Sequence, residues 1–385
     1  MRIAIDGSAV VIGGGVAWLS GLIPELWEVC PGDEFWVFAR SDVLSSGPVS
    51  SVNCRVIPMN FGPGTSLVAR IAWQQVVLPR LLHRLHVDIL VAPTDVSPLS
   101  ARCRLLLGIQ NANPYWGPPA NTWRGRCRDV LLRYLTRLSA RRAHRIFFVS
   151  EWSRQMISAR LKLPLGKSRV IYHGVSECFR KVGQERARTE NDWADGHVLV
   201  VASVRSHRDF PTLFRAWRRV LNHIEQRRLL IVGPILERSY YRSLTALLHE
   251  LQIADVVTFL STVPNEGMPE LYRRAACLVL PSYVETFGLP LVEAMACRVP
   301  VITSDIPVAR EICGEAACYY RLEDADDLAN QLLHVLSVHE VRRTLVDRGS
   351  ERVQRFTWRA AAAEMRDLLQ EVHLATRDGI ADQRR

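Results

Sequence analysis

The stretch ETFGLPLVE, Glu285 to Glu293, sets two carboxylates around seven residues whose backbone could hold an anion. The apolar run Leu278–Leu280 before it reads as a short buried strand ending at Pro281. Pro290 suits the first turn of a helix continuing through Leu291, Val292, Ala294, Met295 and Ala296. Glu285 then belongs to the loop at the carboxyl end of a strand, and Glu293 to the helix that follows. Between them Phe287, Gly288 and Leu289 offer amides at a helix N-terminus, where the dipole favours an anion such as a diphosphate. Gly288 allows the backbone to approach a ligand closely. A second basic cluster, RSHRDF with Arg205 and Arg208, precedes another helix that has Pro211 near its start.

The longer segment PSYVETFGLPLVEAMACRVPVITSD resembles the donor-site motif of the retaining glycosyltransferases of family 4, which have the GT-B fold. The glutamate pair alone is a weak signal, but the pair set among FGLP, EAMA and PVITSD is a specific one. The resemblance implies that Glu285 lies by the hexose of a nucleotide-sugar and that Glu293 binds the ribose hydroxyls. It implies that the amides of Phe287, Gly288 and Leu289 hold sugar and phosphate. Arg208 stands where the family usually has a lysine on the diphosphate, and Arg205 is a second candidate. A guanidinium can fork two phosphate oxygens, with geometry different from a lysine's. Val263 falls where the family contacts the base through its backbone. The glycine cluster ahead of the first helix, with Gly14 and Gly15, matches a loop that faces the diphosphate.

One loop departs from the pattern. Many members carry a His-Asp pair after the fifth strand, near the transferred sugar, and this chain has Gln110 and Asn111 in its place. Amides can hydrogen-bond a sugar hydroxyl but do not exchange protons near neutral pH, so these two are assigned to the acceptor and sugar side without a proton-carrying role.

The bulk properties agree with an α/β protein of two domains. At 385 residues and 48% hydrophobic content, each half can bury its own core. Met1 leads directly into RIAID without a charged-then-apolar leader, and no apolar run approaches the ~18 residues of a membrane span. A cytoplasmic protein is expected, with peripheral attachment to the inner face of the plasma membrane as an open idea. Nine scattered cysteines, with no CxxC pair, fit reduced thiols better than a disulfide frame or zinc site. A net charge of +10 calls for an anionic partner.

Alternating strands and helices predict two Rossmann-like doubly wound domains facing a central cleft, the GT-B arrangement. The expected boundaries are an acceptor-side domain over 1–176, a polar linker over 177–196, a donor domain over 197–357, a returning helix over 358–375 and a disordered tail over 376–385. In WRGRCRDVLLRYLTRLSARRAHR, residues 123–145, Leu131, Tyr134, Leu135 and Leu138 share one face of a helix. Arg126, Arg133 and Arg137 share the other. This reads either as a packed helix with a solvated basic face or as a patch for anionic lipid or a lipid-diphosphate acceptor. No nucleic-acid module accompanies the charge. Ser150 reads as a helix N-cap, and the acids of EDADDL as charge at a helix start rather than a metal site.

The sequence therefore predicts a metal-independent hexosyltransferase without a cofactor. It would move mannose, glucose or galactose from a UDP- or GDP-linked donor to a hydroxyl of a glycan or lipid-linked acceptor, in surface polysaccharide or glycolipid assembly. Two rivals remain: a nucleotide-sugar epimerase of the same fold, and a nucleotide-sugar-binding scaffold weakened in catalysis.

Overall fold

The computed structural model describes residues 1–10, 13–40, 53–59, 61, 66–112, 114–115, 123–185, 196–224, 227–261 and 263–374. Unit 1 runs from Met1 to Gly174 and takes up the chain again at Thr357, and unit 2 runs from Val175 to Phe356.

Unit 1 is built on strands β1 (Arg2–Asp6), β2 (Glu34–Arg40), β3 (Cys54–Met59), β4 (Ile89–Ala92), β5 (Arg104–Ile109), β6 (Arg145–Phe148) and β7 (Ser168–Val170). They pair in the order β3-β2-β1-β4-β5-β6-β7, every neighbouring pair parallel. Central strands such as ILVA of β4 are buried throughout, as a parallel sheet with both faces covered requires. On one face the helices Gly14–Val29 and Trp358–Leu374 close the core, with Trp18, Leu22, Met365, Leu368 and Leu369 around Ile3 and Ile5. The Trp358 ring fits because Gly21 has no side chain, since a Cβ there would stand 2.2 Å from it.

Unit 2 repeats the plan with β8 (His197–Val201), β9 (Leu229–Val232), β10 (Val257–Leu260), β11 (Ala275–Leu280), β12 (Val301–Ser304) and β13 (Ala317–Tyr320). The order is β10-β9-β8-β11-β12-β13, again all parallel. Its core gathers Phe210, Phe214, Trp217 and Leu332 around Val198, Val200 and Val279. Strand order reverses between β1 and β4 in unit 1 and between β8 and β11 in unit 2. Doubly wound sheets bind ligands beyond the carboxyl ends of the strands at such reversals.

Two expectations are corrected. The stretch expected to be linker from residue 177 begins with a helix, Glu177–Glu185, in which Phe179 and Gly183 are buried. Gly183 permits this, because a Cβ would come within 2.1 Å of the Ala296 carbonyl. The remainder of that linker, 186–195, and the tail expected over 376–385 lie outside the described residues.

The basic segment does form a helix, Trp123–Arg142, but its large apolar residues do not pack as one stripe. Tyr134 is 60% exposed and Leu131 43% exposed, and Leu135 and Leu138 are half-buried. The packed side consists of small residues, Thr136, Ser139 and Ala140. Ser139 Oγ accepts from the Ser97 amide at 3.0 Å, and such close backbone approach excludes larger side chains.

Candidate functional site

In unit 2 the loops after β8 and β11 are stitched together by their backbones. The Asp209 amide donates to the Pro281 carbonyl at 2.8 Å, and the Tyr283 amide donates to the His207 carbonyl at 3.1 Å. Arg208 is thereby bridged to Ser282 across the strand reversal. Asp209 caps the helix Phe210–Val220 by accepting from the Thr212 amide at 3.4 Å, and its other oxygen accepts from the Glu323 amide at 3.1 Å. The Tyr240 hydroxyl donates to the Arg208 carbonyl at 2.6 Å.

This scaffold brings Arg208 against Glu285. One guanidinium nitrogen of Arg208 donates to both Ser282 Oγ and Glu285 Oε1, and the two ionic side chains are almost equally buried. Ser282 Oγ donates to Glu285 Oε1 at 3.1 Å, and Ser304 Oγ holds the Ser282 carbonyl at 2.6 Å. Sequence reasoning gave Arg208 and Glu285 to different parts of a ligand, and here they satisfy one another. Beside them, burial first and then the charges of Arg208 and Arg205 push the His207 imidazole down to about 3, so it is neutral at pH 7. Arg205 sits at the start of the same turn, its carbonyl accepting from the Arg208 amide at 3.0 Å.

Gly288 caps the helix Leu289–Ala296 in a left-handed conformation, φ 85° and ψ 61°. A Cβ at Gly288 would also approach Leu291 Cδ1 to 2.8 Å, so the position demands glycine on two grounds. Phe287 is buried with its ring edge-on to Phe356 at 5.5 Å, which fixes the turn leading to those amides. Amides in a first helical turn lack intrahelical acceptors; Pro290 has no amide hydrogen and the Leu291 amide donates to the Gly288 carbonyl at 2.9 Å, which leaves the amides of Gly288 and Leu289 as the donors to an anion.

Glu293 lies in the second turn of that helix. The Tyr272 hydroxyl donates to its Oε2 at 2.7 Å. Burial pushes the Glu293 carboxyl up to about 7, against the lowering effect of the tyrosine bond. One carboxylate oxygen of Glu293 is thus engaged by the Tyr272 hydroxyl.

Val263 lies beside Gly267, where a Cβ would stand 3.2 Å from Val263 Cγ1. An open cavity of about 670 Å³ lies at the same ends of β9 and β10, lined by Pro234, Ile235, Arg238, Tyr241, Arg242 and Ser261. In EDADDL two carboxylates serve the backbone: Asp324 caps the helix Ala325–Ser337 by accepting from the Asp327 amide at 2.9 Å, and Asp327 accepts from the Arg321 amide; Glu323 accepts from the Tyr283 hydroxyl and Asp326 pairs with Arg219.

In unit 1, Gly14 and Gly15 open the helix Gly14–Val29 rather than preceding it, and Gly13 stands at its N-cap with φ 63°. Gln110 and Asn111 follow β5, and both their amides donate to Asp95 Oδ1, at 2.8 and 3.3 Å. Asp95 is itself in the left-handed region, φ 66°, and burial pushes its carboxyl up to about 7. The residues brought together are Arg205, Arg208, Glu285, Phe287, Gly288, Leu289 and Glu293 within unit 2, and Gln110 with Asn111 within unit 1.

Sequence reasoning missed four residues of these arrangements: Ser282, Tyr272, Asp209 and Asp95. Ser282 comes just after the motif strand and Asp209 just before a helix with proline near its start, and either position could have raised suspicion. Tyr272 and Asp95 act across 21 and 15 residues of chain.

The chain matches the model of Glycosyltransferase Family 4 over residues 12–177 and that of Glycosyl transferases group 1 over 183–352. Together they leave unmatched only 1–11, 178–182 and 353–385. The O-antigen chain mannosyltransferase RfbU of Salmonella typhimurium is 29% identical over 198 residues, 51% of this chain and 52% of that one. An O-antigen chain mannosyltransferase B of Escherichia coli is 35% identical over 102 residues, 26% of this chain and 27% of its own. The chain thus spans about half the length of the first of these relatives, and less of the second.

Among solved structures, sucrose-phosphate synthase of Thermosynechococcus elongatus superimposes with a TM-score of 0.75 over 98% of this chain and 100% of its own, at 21% identity. Anabaena HepE, in complex with UDP and glucose, gives 0.72 over 96% and 99%, at 17% identity. Those likenesses establish the GT-B fold. With both halves matched by models of one group of transferases, the chain belongs to glycosyltransferase family 4.

Proposed function

We propose that this protein transfers a hexose from a nucleotide-diphosphate sugar to a hydroxyl of a glycan or lipid-linked acceptor, with retention of configuration, in the assembly of a surface polysaccharide or glycolipid. The observation that carries the reading is the convergence of Arg208, Glu285, the Gly288 helix start and Glu293 around one strand reversal of unit 2.

In this reading the diphosphate lies against Arg208 and the amides from Phe287 to Leu289, with Arg205 beside it. The sugar hydroxyls displace part of the Arg208–Glu285 contact and bond to Glu285. The ribose diol donates to the Glu293 carboxylate, and the base lies by Val263. As the bond from the anomeric carbon to the diphosphate breaks, Arg208 and the amides stabilise the charge that develops on the leaving oxygen. The acceptor oxygen bonds to the anomeric carbon on the same face and passes its proton to a phosphate oxygen. Gln110 and Asn111 orient hydroxyls and carry no proton.

The mannosyltransferase names of the O-antigen relatives make mannosyl nucleotides the first donors to try. Thermal unfolding of the protein with UDP, GDP, ADP, dTDP and their sugars should reveal one stabilising class. Ligand at a hundred times Kd stabilises by roughly 2.7 kcal/mol. Turnover that requires an added acceptor supports the transferase. Conversion of the donor alone would establish an epimerase, and binding without turnover a scaffold.

The finer placement at a membrane is part of the same proposal. Among the described residues no helix is long and apolar enough to cross a membrane. The helix Trp123–Arg142 instead exposes Trp123 (71%), Val130 (58%) and Tyr134 along one side, with Arg126 and Arg133 adjoining. Aromatic side chains flanked by cations suit the interface of an anionic bilayer. Vesicles containing phosphatidylglycerol should sediment the protein at low salt, less at high salt, and less again after Trp123→Ser with Arg126→Glu and Arg133→Glu. Equal sedimentation of that variant would rule the helix out as the contact.

A further inference from the structure

β4 ends at Ala92, opposite Leu107, while β5 runs on to Ile109. The chain after β5 therefore emerges with no strand beside it on the β4 side, and Asp95 takes that place. Its amide donates to the Gly108 carbonyl at 2.9 Å. Its Oδ1 accepts from the amides of Gln110 and Asn111 at 2.8 and 3.3 Å. One residue thus bonds three positions of the neighbouring segment, and it does so from the left-handed region, φ 66°. The chain beyond it is fixed as well, since Gln74 of the helix Leu67–Arg84 donates to the Val96 carbonyl at 2.9 Å.

A contact that only joined two loops would not need a carboxylate. Asparagine also adopts the left-handed conformation, and its side-chain oxygen can accept from the same amides. Aspartate is the costlier residue here, because burial disfavours its charged form. Among the described residues no arginine or lysine pairs with it. Burial lifts the carboxyl from 3.8 to about 7, against the lowering effect of the two amide bonds. Its contribution to stability is fully present below 3.8 and is lost as pH rises through about 7. A destabilising charge and a strained backbone are therefore kept together where β4 ends, beside the reversal of strand order at which doubly wound sheets bind ligands. Two other titratable groups adjoin. Tyr115 keeps its proton at neutral pH, because burial and then the Asp95 charge raise it, with Arg133 of the helix Trp123–Arg142 opposing. Asp6 lies beyond Val96, raised by burial and bonded by Gln74 and the Ser8 amide.

We infer that Asp95 is a positioning residue: through the amides of Gln110 and Asn111, its carboxylate holds the loop after β5 in the form that meets the acceptor and the transferred sugar. The ionised carboxyl accepts those bonds more strongly than the neutral acid, so the hold tightens as the group ionises. What the loop meets rests on the transferase reading. The hold on the loop does not, so the two can fail separately.

Amide NMR of the 15N-labelled full chain, in wild type and Asp95→Asn, reads the hold without any ligand. The Gln110 and Asn111 amide resonances should move with a midpoint near 7 in wild type and stay still in the variant. The same movement in Asp95→Asn would assign the titration to Asp6 or another group and overturn the inference.

Transfer to octyl mannoside, glucoside or galactoside reads what the hold does, with donor saturating so that the Glu293 carboxyl does not enter. For the glycoside that accepts, wild-type kcat/KM should rise roughly tenfold from pH 6 to 8, following the ionised fraction of a group near 7. Asp95→Asn should give a flat profile with an unchanged donor KM. A wild-type slope in the variant, or a loss that is equal at every pH and shared by the donor KM, would make Asp95 a fold contact only. If no glycoside accepts while the amides titrate as expected, the hold stands and the acceptor half of the inference is overturned.

Discussion

Arg208→Ala is expected to lower kcat by roughly 10²–10³, the usual cost of removing one preorganised donor from a developing negative charge. Two losses combine. The leaving diphosphate loses its guanidinium, and the half-buried Glu285 loses its ion partner and faces the incoming phosphates as a bare anion. The second loss is separable. Glu285 keeps its bond from Ser282 Oγ, so the chain should fold, with unit 2 destabilised by about 1–3 kcal/mol.

A double variant, Arg208→Ala with Glu285→Ala, should recover much of that stability while remaining inactive, since residues that contact one another do not contribute additively. Arg208→Lys restores the charge without the fork and should fall between. Steady-state kinetics with the donor found by thermal shift, together with unfolding curves of the four proteins, check this. A kcat for Arg208→Ala within threefold of wild type would remove Arg208 from the transfer step.

Glu293→Gln should separate stability from binding and make both respond differently to pH. In the folded chain burial holds the Glu293 carboxyl up to about 7, whereas a glutamate carboxyl in the unfolded chain titrates at 4.5. Between those values the folded state retains a proton that the unfolded state has released. The contribution is therefore fully present below the unfolded pKa and is lost as pH rises through about 7. Glutamine removes the titration. The variant should gain stability relative to wild type between pH 5 and 8, on the order of 1–3 kcal/mol.

Binding moves the opposite way. Ribose hydroxyls donate best to the ionised carboxylate, so the wild-type KM for the donor should fall as pH rises from 6 to 8. The glutamine variant should show a flat profile and an affinity weaker by about 10–100-fold, the worth of a hydrogen bond to a charged group. Unfolding at the two pH values and KM against pH give the answer. The same pH slope in both proteins would mean that another group governs it.

What the sequence revealed depended on how locally each feature is determined. Strand and helix placement around Leu280, Pro281 and Pro290 followed from short-range rules, as did the Ser150 cap, whose Oγ accepts from the Ser153 amide at 3.1 Å. The types of Glu285, Glu293 and Arg208 were legible from their motifs. Their partners were not, because Arg208 and Glu285 meet across 77 residues and Tyr272 and Glu293 across 21.

The helix Trp123–Arg142 was misread for a different reason. Apolar periodicity marks the buried face only when large side chains are what the neighbour accommodates. Here the sheet and the Ser97 loop come so close that Thr136, Ser139 and Ala140 fill the contact, and the aromatics face out. The helix Glu177–Glu185 escaped notice because its packing depends on a glycine, Gly183, which propensity alone reads as a break.

The return of Trp358–Leu374 to the first core bears on how the chain is made. A ribosome delivers Trp18, Leu22 and Ile23 more than three hundred residues before their partners Trp358, Met365 and Leu369. Unit 2, by contrast, is continuous from Val175 to Phe356 and has all its core residues before the last helix is translated. The half that is synthesised first is therefore the half that finishes folding last. Until that helix emerges, the hydrophobic face it covers is exposed to chaperones and to other nascent chains.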